Sequence, residues 1–430
     1  LYDPFDAMMA RRGAVKRAPS ADAKEARAPG LGAALLRQAL RHPGALEELL
    51  DARLTEKALG GALLILIFEG EAEDAERDAR AARSLLTAVN ATYEGEGHAR
   101  RWLLHRYAVS YRQAPVLAAG LFVDTMEVAA PWSRLEGLYH GVRSALGEHA
   151  FVMAHFSHAY PDGCCIYFSF AGSASPAAGE GWDDACLRTY DRAWRAALAA
   201  AVQAGGTLAH HHGVGRSKAP RLRDELGAGI DVVRSLCRVF DPDGLMNPGN
   251  LLPPGEPPPQ GARPAEPAPP PRGRDAFALD AESLLLEAGA ALSLPSLEGR
   301  LEPHGLTLGV DLTAAGDLTV GAWLASGAPG ARSRWWDPAD QLVAGFTAYL
   351  PDGREVCLPP APRRSVGPDL FALVFGQGGR YLRLERAWLR VHRRGAAAPN
   401  TGAFAAPPDP PASQSEGKLW EALARALAPG

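Results

Sequence analysis

The alternation of hydrophobic and polar positions changes period several times along this chain, and each change marks an element. The run Ala62-Leu63-Leu64-Ile65-Leu66-Ile67-Phe68, closed by Glu69-Gly70-Glu71, is short, aliphatic and partly β-branched, which predicts a buried strand. The Ala-, Arg- and Leu-rich stretch from Glu71 to Val89 predicts the helix after it. Gly120 to Val128 alternates as a strand, and Pro131 then starts a helix at Trp132. Phe151 to His158 and Cys165 to Ala171 predict two further strands. Trp182 to Ala204 reads as a long amphipathic helix stopped by Gly205-Gly206. Helices interleaved with strands that return as hairpin-like pairs predict an α+β domain, its mostly antiparallel sheet covered by helices on one face.

Residues 253–274 are rich in proline and carry no periodic apolar face, as expected of an extended linker. Beyond it the period shortens. Ser283–Glu287, Leu318–Val320, Leu342–Leu350, Glu355–Leu358 and Ala387–His392 predict short strands, with Pro351-Asp352-Gly353 as a hairpin turn. A second Pro/Ala-rich stretch near 396–412 precedes a short amphipathic helix from Glu416 to Leu427 that is expected to dock on the body. The expected organisation is therefore a domain over 1–252, a linker over 253–274, a smaller β-rich domain over 275–394 and a tail over 395–430.

Composition narrows the function classes. The chain has 45 Lys+Arg against 49 Asp+Glu and a net charge of -4, which leaves no electrostatic footprint for nucleic acid and no polybasic membrane anchor. Its longest aliphatic run is far short of the roughly 20 residues of a membrane helix. Five cysteines, scattered and without C-x-x-C spacing, argue against a disulfide framework or a structural zinc site, and fit a reducing, cytoplasmic compartment. Cys164-Cys165 reads as a buried pair at a strand start.

The sharpest chemical feature is Thr207-Leu208-Ala209-His210-His211-His212-Gly213-Val214-Gly215-Arg216. On an extended backbone His210 and His212 face one side and His211 the other. Imidazoles titrate near neutral pH, so the cluster suits proton transfer. A His-x-His metal site and a purely structural role are its rivals, the former without an evident third ligand. Tyr167 points away from its neighbours Ile166 and Phe168. It is either core or, if its strand lies beside the histidines, half of an acid/base pair. Asp241-Pro242-Asp243-Gly244-Leu245-Met246-Asn247-Pro248-Gly249 reads as a double turn closing the domain.

Four blocks taken together resemble the flavin-dependent oxidases of the vanillyl-alcohol oxidase / p-cresol methylhydroxylase type, and within them the alkyldihydroxyacetonephosphate synthase branch. They are Val123 to Trp132, Cys165 to Phe170, His210 to Gly215, and Asp241 to Gly249. The resemblance covers the C-terminal portion of such enzymes. It implies FAD as cofactor, Tyr167 with His210, His211 and His212 as the acid/base set, and Gly213 and Asn247 on the flavin side. It implies a small-molecule substrate, acyl-dihydroxyacetone phosphate with a fatty alcohol, exchanged to an ether. An FAD-linked oxidation of 2-hydroxy acids is the alternative, and a non-catalytic interaction chain is a third. An arginine used by the branch on phosphate aligns with Gln113. Arg112 beside it, Arg216 and Lys218 are therefore the candidate substrate cations, and no metal is expected. A homodimer and a membrane-peripheral location enter on the same ground.

Residues 275–394 resemble more weakly the later half of the family's FAD-binding domain. Pro362-Arg363-Arg364-Ser365-Val366-Gly367-Pro368-Asp369-Leu370 falls in the family's order, and the glycine-rich segment appears as Gly376-Gln377-Gly378-Gly379 followed by Arg380-Tyr381-Leu382-Arg383. The chain opens on Leu1-Tyr2-Asp3-Pro4, and the main FAD-holding portion is expected upstream of residue 1.

Overall fold

The computed structural model describes residues 1–12, 38, 40–43, 61–108, 113–252, 273, 275–331, 342–395 and 414–427. Packing divides the chain into two compact units. One comprises Leu1–Met126, Arg143–Ser157 and Ile166–Ala193, the other Glu127–Val142, His158–Cys165 and Trp194–Gly430. The fold mixes helices with antiparallel sheet, as its patterning predicts. β1 (Phe122–Pro131), β2 (Phe151–Tyr160) and β3 (Gly163–Gly172) form a sheet in the order β1-β3-β2. Only Pro161 and Asp162 separate β2 from β3. The helix Trp132–Gly147 follows Pro131 directly.

In the first unit, the Asp3 carboxylate accepts hydrogen bonds from the amides of Phe5, Asp6 and Ala154 and pairs with Arg143 at 3.3 Å. This anchors the helix Pro4–Arg12. β3 alternates as expected, with Ile166, Phe168 and Phe170 buried and Tyr167 and Ser169 half-buried. The Ala62–Phe68 run does not form the predicted buried strand. Leu63 alone bridges, to Tyr2, while Leu64, Leu66 and Phe68 are 41%, 42% and 37% exposed. β-propensity is realised only where a neighbour offers a ladder of several residues, and Tyr2 offers one.

The second unit holds a five-stranded sheet in the order β4-β5-β9-β7-β8. Its strands are β4 (Phe277–Asp280), β5 (Leu285–Gly289), β7 (Val343–Tyr349), β8 (Glu355–Leu358) and β9 (Arg383–Arg390), paired antiparallel. β6 (Leu306–Thr307) and β10 (His392–Arg393) pair separately. The Pro351-Asp352-Gly353 turn joins β7 to β8, with Gly353 at φ 85. Leu318–Val320 is not a strand. Thr319 bridges Ser293 and then caps the helix Val320–Ala325, its side chain accepting from the Ala322 amide. A threonine ahead of a short apolar run satisfies helix-end donors, and that preference wins here.

The tail helix, Gln414–Leu427, packs on the helix Gly229–Phe240 and buries Leu423 and Leu427, as its spacing predicts. The Pro-rich stretches near 253–274 and 396–412 lie almost wholly outside the described residues. No described helix is long and apolar enough to cross a membrane.

Candidate functional site

β1 ends in six consecutive buried residues, Met126 to Pro131, so its last turn faces core on both sides. The second of them is Glu127, at 0% exposure. A carboxylate there is tolerable only if donors replace the water it has lost. The histidine segment supplies them. Thr207 and Ala129 exchange backbone hydrogen bonds of 2.8 and 3.4 Å, which lays residues 207–212 along the end of β1. The Glu127 carboxylate then accepts from three successive amides: His210 at 2.8 Å, His211 at 3.2 Å and His212 at 2.7 Å. The Lys218 ammonium, itself 3% exposed, donates to the Glu127 carbonyl at 3.1 Å and lies 3.5 Å from the carboxylate. A second buried carboxylate, Glu225, accepts from Thr207 Oγ1, the Leu208 amide and Arg364 Nε. The segment is thus pegged at both ends by acids that sequence patterning did not single out.

Electrostatics follow from this burial. Burial pushes the Glu127 carboxyl up, but the charge of Lys218 and the three histidine amides together outweigh it and hold Glu127 below the ordinary carboxylate range. Burial lowers Lys218, and Glu127 opposes the shift. His210 is fully buried and its pKa is pushed down to about 4. Burial is the main cause, opposed by Glu127 and reinforced by His211, His158 and Arg363. His211, half-buried, is lowered chiefly by burial as well. Burial and the Glu127 charge push the Cys165 thiol up, so it is no thiolate nucleophile.

The ring contacts form a chain. His210 Nε2 lies 2.9 Å from the Tyr160 hydroxyl, and His210 Nδ1 lies 2.7 Å from His211 Nδ1. A neutral imidazole has one N–H and one lone pair. Two arrangements are therefore available, with the proton of each hydrogen bond pointing either toward Tyr160 or toward His211, and a proton entering one end displaces one at the other. His212, exposed, stacks edge-on against His211 with ring centroids 4.6 Å apart.

His158, Cys165, His210 and His211 also bring their ligand atoms within 4.8 Å of one another. These are the further ligands a His-x-His metal site lacked in the sequence. Two tetrahedral ligands at about 2.0–2.1 Å from zinc stand about 3.3 Å apart. The 2.7 Å between the two Nδ1 atoms is instead the separation of a shared proton.

The other expected site residues fall in different places. Tyr167 belongs to the first unit, where it stacks on His155 at 4.7 Å and 10°, and His155 Nδ1 lies 3.2 Å from Asp6. Gly213, at φ 77, has open space where a side chain would stand. Asn247, at φ 51, accepts from Asn250 in an exposed turn. That turn ends at Leu251, whose amide donates to Gly215. Arg216 is exposed, and the charge of Lys218 is spent on Glu127. Arg112 lies outside the described residues.

Comparison with known proteins finds two domain matches. Residues 41–251 match the C-terminal domain of FAD linked oxidases, and residues 274–358 match an FAD binding domain. The chain is 28% identical over 193 residues to an alkyldihydroxyacetonephosphate synthase of Dictyostelium discoideum and 26% identical to one of Trypanosoma brucei brucei. Each match covers 43% of this chain and 30% of the relative. It is 26% identical over 146 residues to an uncharacterized FAD-linked oxidoreductase of Escherichia coli, covering 32% of this chain and 30% of that one. A solved alkyldihydroxyacetonephosphate synthase aligns with a TM-score of 0.28 at 22% identity, over 42% of this chain and 29% of that structure. The chain thus spans about 30% of the length of these curated relatives. On the two domain matches, the chain carries the C-terminal domain of the FAD-linked oxidases followed by a segment of FAD-binding domain, and the cofactor of that family is FAD.

Proposed function

We propose that this chain serves a flavin-dependent exchange of an acyl for an alkyl group on acyl-dihydroxyacetone phosphate, as the names of its relatives suggest. The observation that carries this is the Tyr160–His210–His211 chain held on Glu127, in which burial lowers the pKa of both imidazoles. A base that is uncharged near pH 7 and backed by a second imidazole suits removal of a proton next to a carbonyl. His211 takes that proton and passes one to His210, His210 passes one to the Tyr160 oxygen, the half-buried Tyr160 hydroxyl releases its own to solvent, and Glu127 holds all three histidine amides in register. Tyr167, Gly213, Asn247 and Arg216 enter the proposal in the roles that the family resemblance implies.

FAD, when bound, supplies the electron-accepting centre. Its pyrophosphate needs bare amides, and the Gly376–Gly379 turn has committed two of its four. The Gly376 amide donates to Leu324 and the Gly378 amide to Ala325, each at 3.0 Å, so the turn closes the helix Val320–Ala325 instead. With those two amides committed to the helix end, the turn is a poor cradle for that part of the cofactor.

The test is to supply the chain with FAD, acyl-dihydroxyacetone phosphate and a labelled fatty alcohol. Labelled ether and released fatty acid, without reduction of a dye, are expected. The E. coli relative, by its name an FAD-linked oxidoreductase, favours an oxidoreductase as the second reading, and the family resemblance suggests a 2-hydroxy acid as its substrate. Dye bleaching by a hydroxy acid and no ether would replace the first reading with it.

A further inference from the structure

The second unit contains a cavity of about 200 Å3 whose wall includes His211 and the loop Arg363 to Phe371. That volume is below the roughly 300–1,000 Å3 of whole-ligand pockets. It suits one end of a molecule. Two adjacent arginines meet this wall and differ in what they do. Arg364 is neutralised, with Nε 2.8 Å from Glu225 and its other nitrogen on the Pro359 carbonyl. Glu225 also holds Thr207 and Leu208, and the Ser365 amide donates to the Ala209 carbonyl at 2.8 Å. These contacts fix the loop against the segment that carries the histidines. Arg363, half-buried in the same wall, makes no hydrogen bond or ion pair with any described residue. A half-buried guanidinium without a protein partner keeps its fork of donors free for an anion. The one carboxylate in the wall, Asp369, caps the turn at Leu370–Leu373 by accepting from the Phe371 amide.

We propose that Arg363, with the hydroxyl of Ser365, is the anchor for the anionic head of the substrate, a phosphate monoester or a carboxylate, beside His211. The proposal rests on the enzymatic reading above and fills the place for which Arg112, Arg216 and Lys218 were considered from sequence. It also couples binding to chemistry. His211 faces the charges of Glu127, His212, Arg363 and Lys218, and Arg363 is among those that lower its pKa. An anion on Arg363 cancels that repulsion and makes His211 a stronger base once substrate is seated.

The experiment is equilibrium binding to the full chain without turnover, using glycerol 3-phosphate in one arm and lactate in the other, at several salt concentrations. Binding of one of them, weakening with salt, is expected. Arg363→Met should weaken it about 10- to 100-fold, the range of a charge-assisted hydrogen bond. Arg363→Lys should recover part of that, and Arg192→Met, at an exposed site on another helix, should bind as the wild type does. Circular dichroism of each variant separates misfolding from lost affinity, and NMR of His211 should show its pKa rising on ligand addition in the wild type but not in Arg363→Met. The preferred arm identifies the head as phosphate or carboxylate. Absence of binding in both arms, or equal affinity of a folded Arg363→Met, overturns the anchor. Tight binding through Arg363 in a chain that performs neither reaction would leave the anchor standing and remove the proposed function.

Discussion

Replacing Glu127 by Gln tests whether one buried carboxylate organises the histidine site. The change keeps shape and removes charge. In the less costly orientation the Gln oxygen stays toward His211, His212 and Lys218, and its NH2 then meets the His210 amide, donor against donor. One buried N–H is orphaned, at about 1–3 kcal/mol, and the Lys218 ammonium loses its counter-charge. Breaking a buried pair costs about 3–5 kcal/mol, a large share of the ~5–15 kcal/mol that stabilises a domain. Because the chain has two units, a single unfolding curve is a poor gauge. Hydrogen exchange of the Thr207–His212 backbone reads the effect locally. Protection there should fall at least 100-fold in Glu127→Gln, and adding Lys218→Met should restore much of it, because the orphaned charge is then gone. The pH sense is fixed as well. The folded pKa of Glu127 lies below its ordinary value of 4.5, so its contribution is fully present above that value and is lost as pH falls through the lower folded value. If Glu127→Gln kept wild-type exchange to within threefold, Glu127 would not be what holds the segment.

Three further outcomes follow from the local geometry. His210, with its pKa lowered from 6.5 to about 4, should cost the fold roughly 3 kcal/mol as pH falls from 6.5 toward 4, because the unfolded chain takes up the proton first. NMR titration of His210 checks this, and a midpoint near 6.5 would refute its desolvation. A Cβ on Gly163 would lie 2.3 Å from the Ala130 carbonyl oxygen and 2.9 Å from Pro131 Cα, both backbone, so Gly163→Ala should lower stability by about 1–3 kcal/mol or more. Gly137→Ala, in a helix with nothing within 4 Å, should instead leave the melting temperature unchanged or raise it.

Local pattern by itself determined much of this protein. The inward Ile166, Phe168 and Phe170 against outward Tyr167, the helix after Pro131, the turn at Pro351-Asp352-Gly353 and the docked tail helix were all legible, because each depends on a residue and its near neighbours. The histidine triplet stood out for the same reason, and motif order carried the family. Tertiary structure alone decided which groups meet those histidines. Glu127 read as one polar position on an alternating strand. It is buried because the end of β1 is covered on both faces, and its only local signals were an acid inside an apolar run and a solitary lysine at 218. Tyr160 arrives from the end of β2, and Arg363 from a loop some 150 residues beyond the histidines. The Ala62–Phe68 run shows the converse, a strong local strand signal without a ladder to join. Pairing, burial and the charge of a neighbour are properties of positions distant in sequence, so the composition of the segment itself cannot encode them.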